Sequence, residues 1–176
     1  SIKVNGERTV PGLSFKADDP VAPQDFYAAS KWEAEQGIHA IAKGTDLEVT
    51  IVRPPLIYGP GVKGNFASLL KWLKWGLPLP LGNVDNLRSM IALENLMDFL
   101  ALLIDINRSP NAKGQTFLVS DGEDISTTAL LHRIAKAYDF NLRLLPAPVI
   151  LTRFLAQIMG QSLLVERLFG SLVVDS

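Results

Sequence analysis

Tyr27 and Lys31 stand four residues apart in the run Tyr27-Ala28-Ala29-Ser30-Lys31. On a helix this spacing puts both side chains on one face, a turn apart. A free phenol titrates at about 10 and is a poor base at neutral pH. An adjacent ammonium favours the phenolate, so the pair has the makings of a general acid/base for neutral conditions. The small residues between them let a flat cofactor or a sugar approach the helix closely. Spacing alone also fits an amphipathic surface pair, because Y-x-x-x-K is a weak pattern.

A second candidate is Val52-Arg53-Pro54-Pro55-Leu56-Ile57-Tyr58-Gly59-Pro60-Gly61. A strand that ends in prolines and a glycine loop is the kind of carboxyl edge where open α/β sheets bind ligands. A rigid structural turn is the plain alternative. Gly59, Gly61 and Gly64 make a literal G-x-G-x-x-G, but not a dinucleotide fingerprint. That fingerprint leaves its strand directly and opens a helix so that amides meet a pyrophosphate. Here two prolines intervene after Arg53, and Pro60 removes an amide. Asn65 and Arg88 are polar residues on otherwise apolar segments. Arginine suits a phosphate through its fixed fork of donors, whereas a capping Asn and a solvated Arg explain the same residues structurally.

Other chemistries find no support. The chain has no G-x-S-x-G elbow and no Walker loop. Asp121, Glu123 and Asp124 cluster just before an expected helix, which suggests N-terminal capping rather than a metal site. His39 and His132 fall within expected helices, as ordinary surface or half-buried residues. Trp32, Trp72 and Trp75 suit packing or an interface better than a nucleic-acid platform. The 176 residues contain no cysteine and two histidines, which removes disulfides, thiolate sites and His-rich metal sites. Balanced charge, 17 Lys+Arg against 18 Asp+Glu, argues against a nucleic-acid arm or polybasic membrane patch. A hydrophobic content of 48% with a net charge of −1 excludes intrinsic disorder. The apolar stretch from Val149 to Val174 carries Arg153, Gln157, Gln161, Glu166 and Arg167, and so reads as helices facing protein rather than lipid. The N-terminus has no signal-peptide core.

These groups need elements to position them. Residues 1–24 read as loop after a strand end. Residues 25 to about 43 read as a helix capped by Asp25, with Ala34, Ile38, Ile41 and Ala42 on its apolar face and Gly44 as its stop. Leu47–Val52 reads as a buried strand ended by Pro54 and Pro55, and residues 58–64 as a loop. Helices follow at Phe66–Trp75, Leu96–Ile106 and Asp124–Tyr138. Strands are expected at Arg88–Leu93, Gln115–Ser120 and Leu142–Leu145, with apolar helices at the C-terminus. Such alternation predicts an α/β protein.

In this order the motifs resemble the extended short-chain dehydrogenase/reductase family, specifically its NAD-dependent nucleotide-sugar epimerases and dehydratases. Ser1-Ile2-Lys3-Val4-Asn5-Gly6 resembles the family's S-x-x-V-Y-G, with Asn5 in the Tyr place. Tyr27 to Lys31 resembles Y-x-x-x-K, Arg53 to Gly61 resembles R-x-x-x-x-Y-G-P-G, and Arg88 to Leu96 resembles R-D-x-I-x-V-x-D-L. Within the family the likeness is to UDP-glucose 4-epimerase-like members of bacterial surface polysaccharide pathways. Ser89 and Asn95 also depart from the commonest residues. The resemblance implies the C-terminal part of a Rossmann-like parallel sheet plus a smaller α/β substrate-binding region. It assigns residues 1–60 to the remnant of the dinucleotide-binding domain and 61–176 mainly to the substrate region, with some elements returning to the sheet. Family members are expected to be about twice this long, and the N-terminal half that carries the true glycine loop has no counterpart here.

The resemblance implies Ser1, Tyr27 and Lys31 as catalytic residues. It implies Tyr27, Lys31 and Pro54 at the cofactor, and Asn65 and Arg88 at the diphosphate of a UDP-sugar. The second diphosphate arginine has no clear counterpart; Arg143, Arg153 and Arg167 remain open. The implied cofactor is NAD, with NADP not excluded. Ile2 and Lys3 stand where a dehydratase carries its further acid/base pair, which disfavours that reaction. The family's habit implies a homodimer through the Tyr/Lys helix, and a cytoplasmic setting. The alternatives are a UDP-4-keto-sugar reductase using the same residues, a non-catalytic binding protein of this fold, and an interaction module. The 176 residues alone are expected to lack activity, because the glycine loop is missing.

Overall fold

In the computed structural model, the described residues are 1–6, 9–10, 12–61, 65–76, 78–105, 108–146, 148 and 169–176, with side chains left aside at 65–69. A 3-10 turn at Ile2–Val4 precedes α1 (Phe26–Ala42). Then come β1 (Ile51–Arg53), β2 (Leu56–Tyr58), α2 (Asn65–Lys74), β3 (Arg88–Ala92) and α3 (Leu93–Ile104). The order ends with β4 (Thr116–Leu118), β5 (Asp124–Ile125) and α4 (Thr127–Tyr138). This is an α/β chain whose strands pair in parallel, β1 with β4 and β2 with β3.

Pro54 and Pro55 explain why one apolar run becomes two short strands. Neither has an N–H to give to a ladder, so the strand cannot run through them. The chain changes partner at that point. Val52 lies opposite Phe117 in β4, whereas Ile57 lies opposite Ile91 in β3. The apolar run Leu47–Val52 predicts the first strand a little early, and residues 56–58 form a strand where connection or loop is expected. Three residues held between prolines and a glycine are too few for periodicity to register.

The chain divides into two units: Ser1–Gly59 with Ser89–Glu123 and Leu172–Ser176, and Pro60–Arg88 with Asp124–Ser171. In the first, Ile91, Leu96 and Val119 form a buried cluster joined by Val52, Ile57, Phe99, Leu100 and Phe117. The Phe99 and Phe117 rings meet edge to face at 5.7 Å. A second cluster gathers Ile2, Leu118, Leu172 and Val174. The C-terminal segment is tied in by the Leu172 carbonyl, which accepts from the Ser89 amide, and by the Ser89 hydroxyl, which accepts from the Val174 amide. In the second unit Leu131 is fully buried with Leu73, Leu79, Leu81, Val84 and Ile134. Trp72 packs against that cluster, while Trp75 is exposed.

The helix that carries Tyr27 starts as expected: the Asp25 carboxylate accepts from the Ala28 amide at 2.6 Å. Its buried face is not the expected one. Ile38 is 43% and Ile41 61% exposed, whereas Ala28 and Glu35 are buried. Trp32, His39 and Ala42, at helical spacing from Ala28 and Glu35, are half-buried. Counting apolar residues misreads this helix, because its inward line includes a carboxylate and an imidazole.

Leu142–Leu145, expected as a strand, contributes one bridge, Leu144 to Leu79. The expected C-terminal helices, with Arg153 and Arg167, lie largely at residues 149–168, outside the described residues. Among the described residues no helix is long and apolar enough to cross a membrane.

Candidate active site

The Tyr27 ring and the Lys31 ammonium do share a face of α1: Nζ lies 5.5 Å from the ring centroid. Both side chains are exposed, and Ala28 between them is fully buried. The small residue holds the helix against the unit while the phenol and ammonium stay open. Ser30, exposed, donates its hydroxyl to the Tyr27 carbonyl at 2.8 Å and so stays within the helix.

Ser1 reaches the same region through the following residue. The Ile2 amide donates to the Pro54 carbonyl at 3.2 Å, which places Ser1 beside the end of β1. The turn is further pinned to the start of α1: Lys3 pairs with Asp25 at 2.5 Å, and the Ala22 amide donates to the Val4 carbonyl. Ile2 is buried in the core and Lys3 is engaged by Asp25, so neither offers a free acid/base group.

Ser1, Tyr27, Lys31 and Pro54 thus gather in the first unit. Asn65 and Arg88 belong to the second. Asn65 opens α2, and its side chain is outside the described set. Arg88 opens β3, and its guanidinium reaches the Gly170 carbonyl at 3.5 Å. Arg143 is exposed on the segment that meets Leu79.

A network that spacing did not announce lies beneath the helix. The Arg53 guanidinium donates to Glu35 through Nη2 at 2.6 Å and Nε at 3.1 Å, and to the Asn5 side-chain oxygen through Nη1 at 3.0 Å. Asn5 completes its bonding by donating to the Lys16 carbonyl. The Trp32 ring lies 6.0 Å from the guanidinium carbon. All three residues of the network are buried. Glu35 lies one turn beyond Lys31 and seven residues after Ala28, on the inward line of the helix.

Asp121 of the acidic cluster has a different place from the one expected. Ser126, not an acid, caps α4 by accepting from the Ala129 amide. Asp121 instead serves α3: its carboxylate accepts from the Ala92 amide, from Asn95 Nδ2 at 2.7 Å and from the Tyr58 hydroxyl at 2.7 Å. Capping by the acid nearest in sequence was expected, but the parallel pairing brings Asp121 to another helix's start. The Gly59 loop is shaped by packing, because a Cβ there would sit 3.1 Å from that of Leu93 and its φ is +145°. Gly64, the last glycine of the literal G-x-G-x-x-G, lies outside the described residues.

Comparison with known proteins identifies the family. The model of the NAD dependent epimerase/dehydratase family matches residues 3–119. A UDP-glucose 4-epimerase of Vibrio cholerae is 46% identical over 176 residues, covering 99% of this chain and 53% of the relative. An N-acetyl-alpha-D-glucosaminyl-diphospho-ditrans,octacis-undecaprenol 4-epimerase of Escherichia coli O157:H7 is 32% identical over 83 residues, 46% of this chain and 25% of the relative. Among solved structures, UDP-glucuronic acid 4-epimerase from Bacillus cereus in complex with NAD superposes with TM-score 0.69 at 18% identity, over 82% of this chain and 47% of that one. UDP-glucose 4-epimerase from Thermotoga maritima with UDP-glucose gives 0.67 at 15% identity, over 98% and 51%. At those identities the structures speak for the fold, which is the Rossmann-like one of such enzymes. The chain spans no more than about half the length of these curated relatives. With two thirds of its residues matched by the family model, the chain belongs to the NAD dependent epimerase/dehydratase family.

Proposed function

We propose that this chain is the acid/base-bearing part of an NAD-dependent UDP-sugar 4-epimerase, working at the sugar C4. The observation that carries the reading is the exposed Tyr27 phenol with the Lys31 ammonium 5.5 Å from its ring, beside the turn that tethers Ser1 to Pro54. The 46% identity to a UDP-glucose 4-epimerase supports the substrate class.

The donor set fits the nicotinamide end of NAD: an open phenol and ammonium on one helical turn, with a buried alanine between them that leaves the face flat. Lys31 would bind the nicotinamide ribose, and Pro54 would line the ring's pocket. Bound there, NAD would supply the acceptor and donor of the hydride at C4. Tyr27 as phenolate would take the proton of the sugar 4-hydroxyl and later give it back. Lys31 would stabilise the phenolate before it takes the proton and after it returns it. Ser1 hydrogen-bonds the 4-oxygen and steadies the charge that develops as the carbonyl forms. The resemblance assigns Asn65 and Arg88 to the diphosphate, and binding of that remote group would align the sugar.

In cellular terms we place this activity in the cytoplasm, in nucleotide-sugar or surface polysaccharide metabolism, with the Tyr27/Lys31 helix as the dimer contact. The 176 residues alone are proposed to be inactive, since the bulk of the NAD contacts lies in the rest of the family fold. The test is Tyr27→Phe in the full-length enzyme, which should lower 4-epimerase turnover at least about a hundredfold. Near-normal turnover in that variant rejects the reading. Saturable binding of UDP and UDP-sugars separates an enzyme from an interaction module, which should show none.

A further inference from the structure

The residues assigned to the chemistry sit on three separate pieces of chain, and one buried guanidinium touches all three. Asn5 lies four residues after Ser1, Glu35 four residues after Lys31, and Arg53 immediately before Pro54. Each partner is therefore about one short step from a proposed catalytic or cofactor-binding group. Arg53 is fixed at β1, where it lies opposite Leu118. From there it grips α1 through Glu35 and the N-terminal turn through Asn5. Its fork is planar and rigid, so bonds to two partners set relative positions as well as energy.

Stability alone is a weak explanation for this arrangement. A buried ion pair must offset the desolvation of both charges, and apolar residues of the same volume often serve as well or better. The neighbouring clusters already hold β1, β4 and the turn through Ile2, Leu118 and Val52. Those apolar contacts are non-directional, and neither cluster includes a residue of α1. The guanidinium fork is directional and reaches α1 through Glu35.

We propose that Arg53 is a positioning residue of the active site: with Glu35 and Asn5 it forms a three-way clamp that sets where Tyr27 and Lys31 stand relative to Ser1 and Pro54. The inference rests on the function proposed above. Asn5, which stands in place of the family's usual Tyr, is the arm that registers the Ser1 turn, and it does so with a neutral acceptor.

The test compares variants of the full-length enzyme, with UDP-glucose as substrate and the folded fraction measured by circular dichroism. Misplacement by a fraction of an ångström to an ångström predicts that Asn5→Ala lowers kcat per folded molecule about tenfold, with KM for UDP-glucose within about twofold. Arg53→Lys keeps the charge but loses the fork, and is expected to lower kcat about a hundredfold. Asn5→Asp, which restores the acceptor for Arg53 but not the donor to the Lys16 carbonyl, should recover part of the loss seen in Asn5→Ala. Should Arg53→Lys fail to fold, the Asn5 pair decides the matter, because Glu35 still satisfies Arg53 in both. An Asn5→Ala enzyme with unchanged kcat per folded molecule, or an Asn5→Asp enzyme with no recovery, overturns the clamp. Tyr27→Phe in the same assay separates the two levels. Retained turnover there discards the reading of the site and the clamp with it, whereas an inactive Tyr27→Phe beside a normal Asn5→Ala discards the clamp alone.

Discussion

The two units hold their helices by opposite means. In the first, α1 meets its sheet through a charged carboxylate locked onto Arg53, and most of its large apolar side chains face outward. In the second, α4 lays Leu131, Ile134 and Ala135 against an apolar cluster, with Leu131 fully buried. Apolar packing supplies free energy without direction, whereas a forked ion pair supplies direction at a desolvation cost. The unit that bears the proposed acid/base pair uses the directional contact, where a small shift of the helix would move a reacting group.

Breaking each contact should expose the difference. Glu35→Gln leaves the Arg53 guanidinium buried without its counter-charge and is expected to destabilise the protein by about 3–5 kcal/mol. Urea denaturation followed by circular dichroism would measure it; a change below 1 kcal/mol, on the scale of surface substitutions, would show that water solvates the pair and that the contrast is false. Leu131→Ala in the second unit should cost about 3 kcal/mol through lost burial and the cavity left behind. Here turnover per folded molecule is expected to stay near the parent value, in contrast to the clamp variants. The smallest effect is expected where charge pairing has no burial. Glu48 and Lys113 meet at 2.8 Å with side chains 46% and 64% exposed. Glu48→Ala should change stability by less than about 0.5 kcal/mol, and less still at high salt. An effect approaching that of Glu35→Gln would mean that burial is not what separates the two pairs.

The α/β alternation and most helices were legible because their apolar residues recur at helical spacing and their ends carry punctuation. Asp25 before α1 and Gly76 after α2 are examples. The Tyr27/Lys31 pair was legible for the same reason, since a spacing of four has one meaning on a helix. What spacing could not give was the partner of a residue distant along the chain. Arg53 and Glu35 are 18 positions apart, and Arg53 and Asn5 are 48 apart. Asp121 was assigned to the helix that follows it, yet it bonds Asn95, 26 positions earlier. Local rules rank neighbours in sequence, and the parallel pairing of strands decides neighbours in space.

The proline pair between β1 and β2 has one more consequence. A row of bare strand amides is a template on which a foreign strand can zip, and short edges blunt that hazard. At Pro54 and Pro55 there is no amide hydrogen to offer, and the Pro54 carbonyl is already taken by Ile2. The junction where the chain leaves one ladder for the other therefore offers an intruding strand no donor, by covalent chemistry.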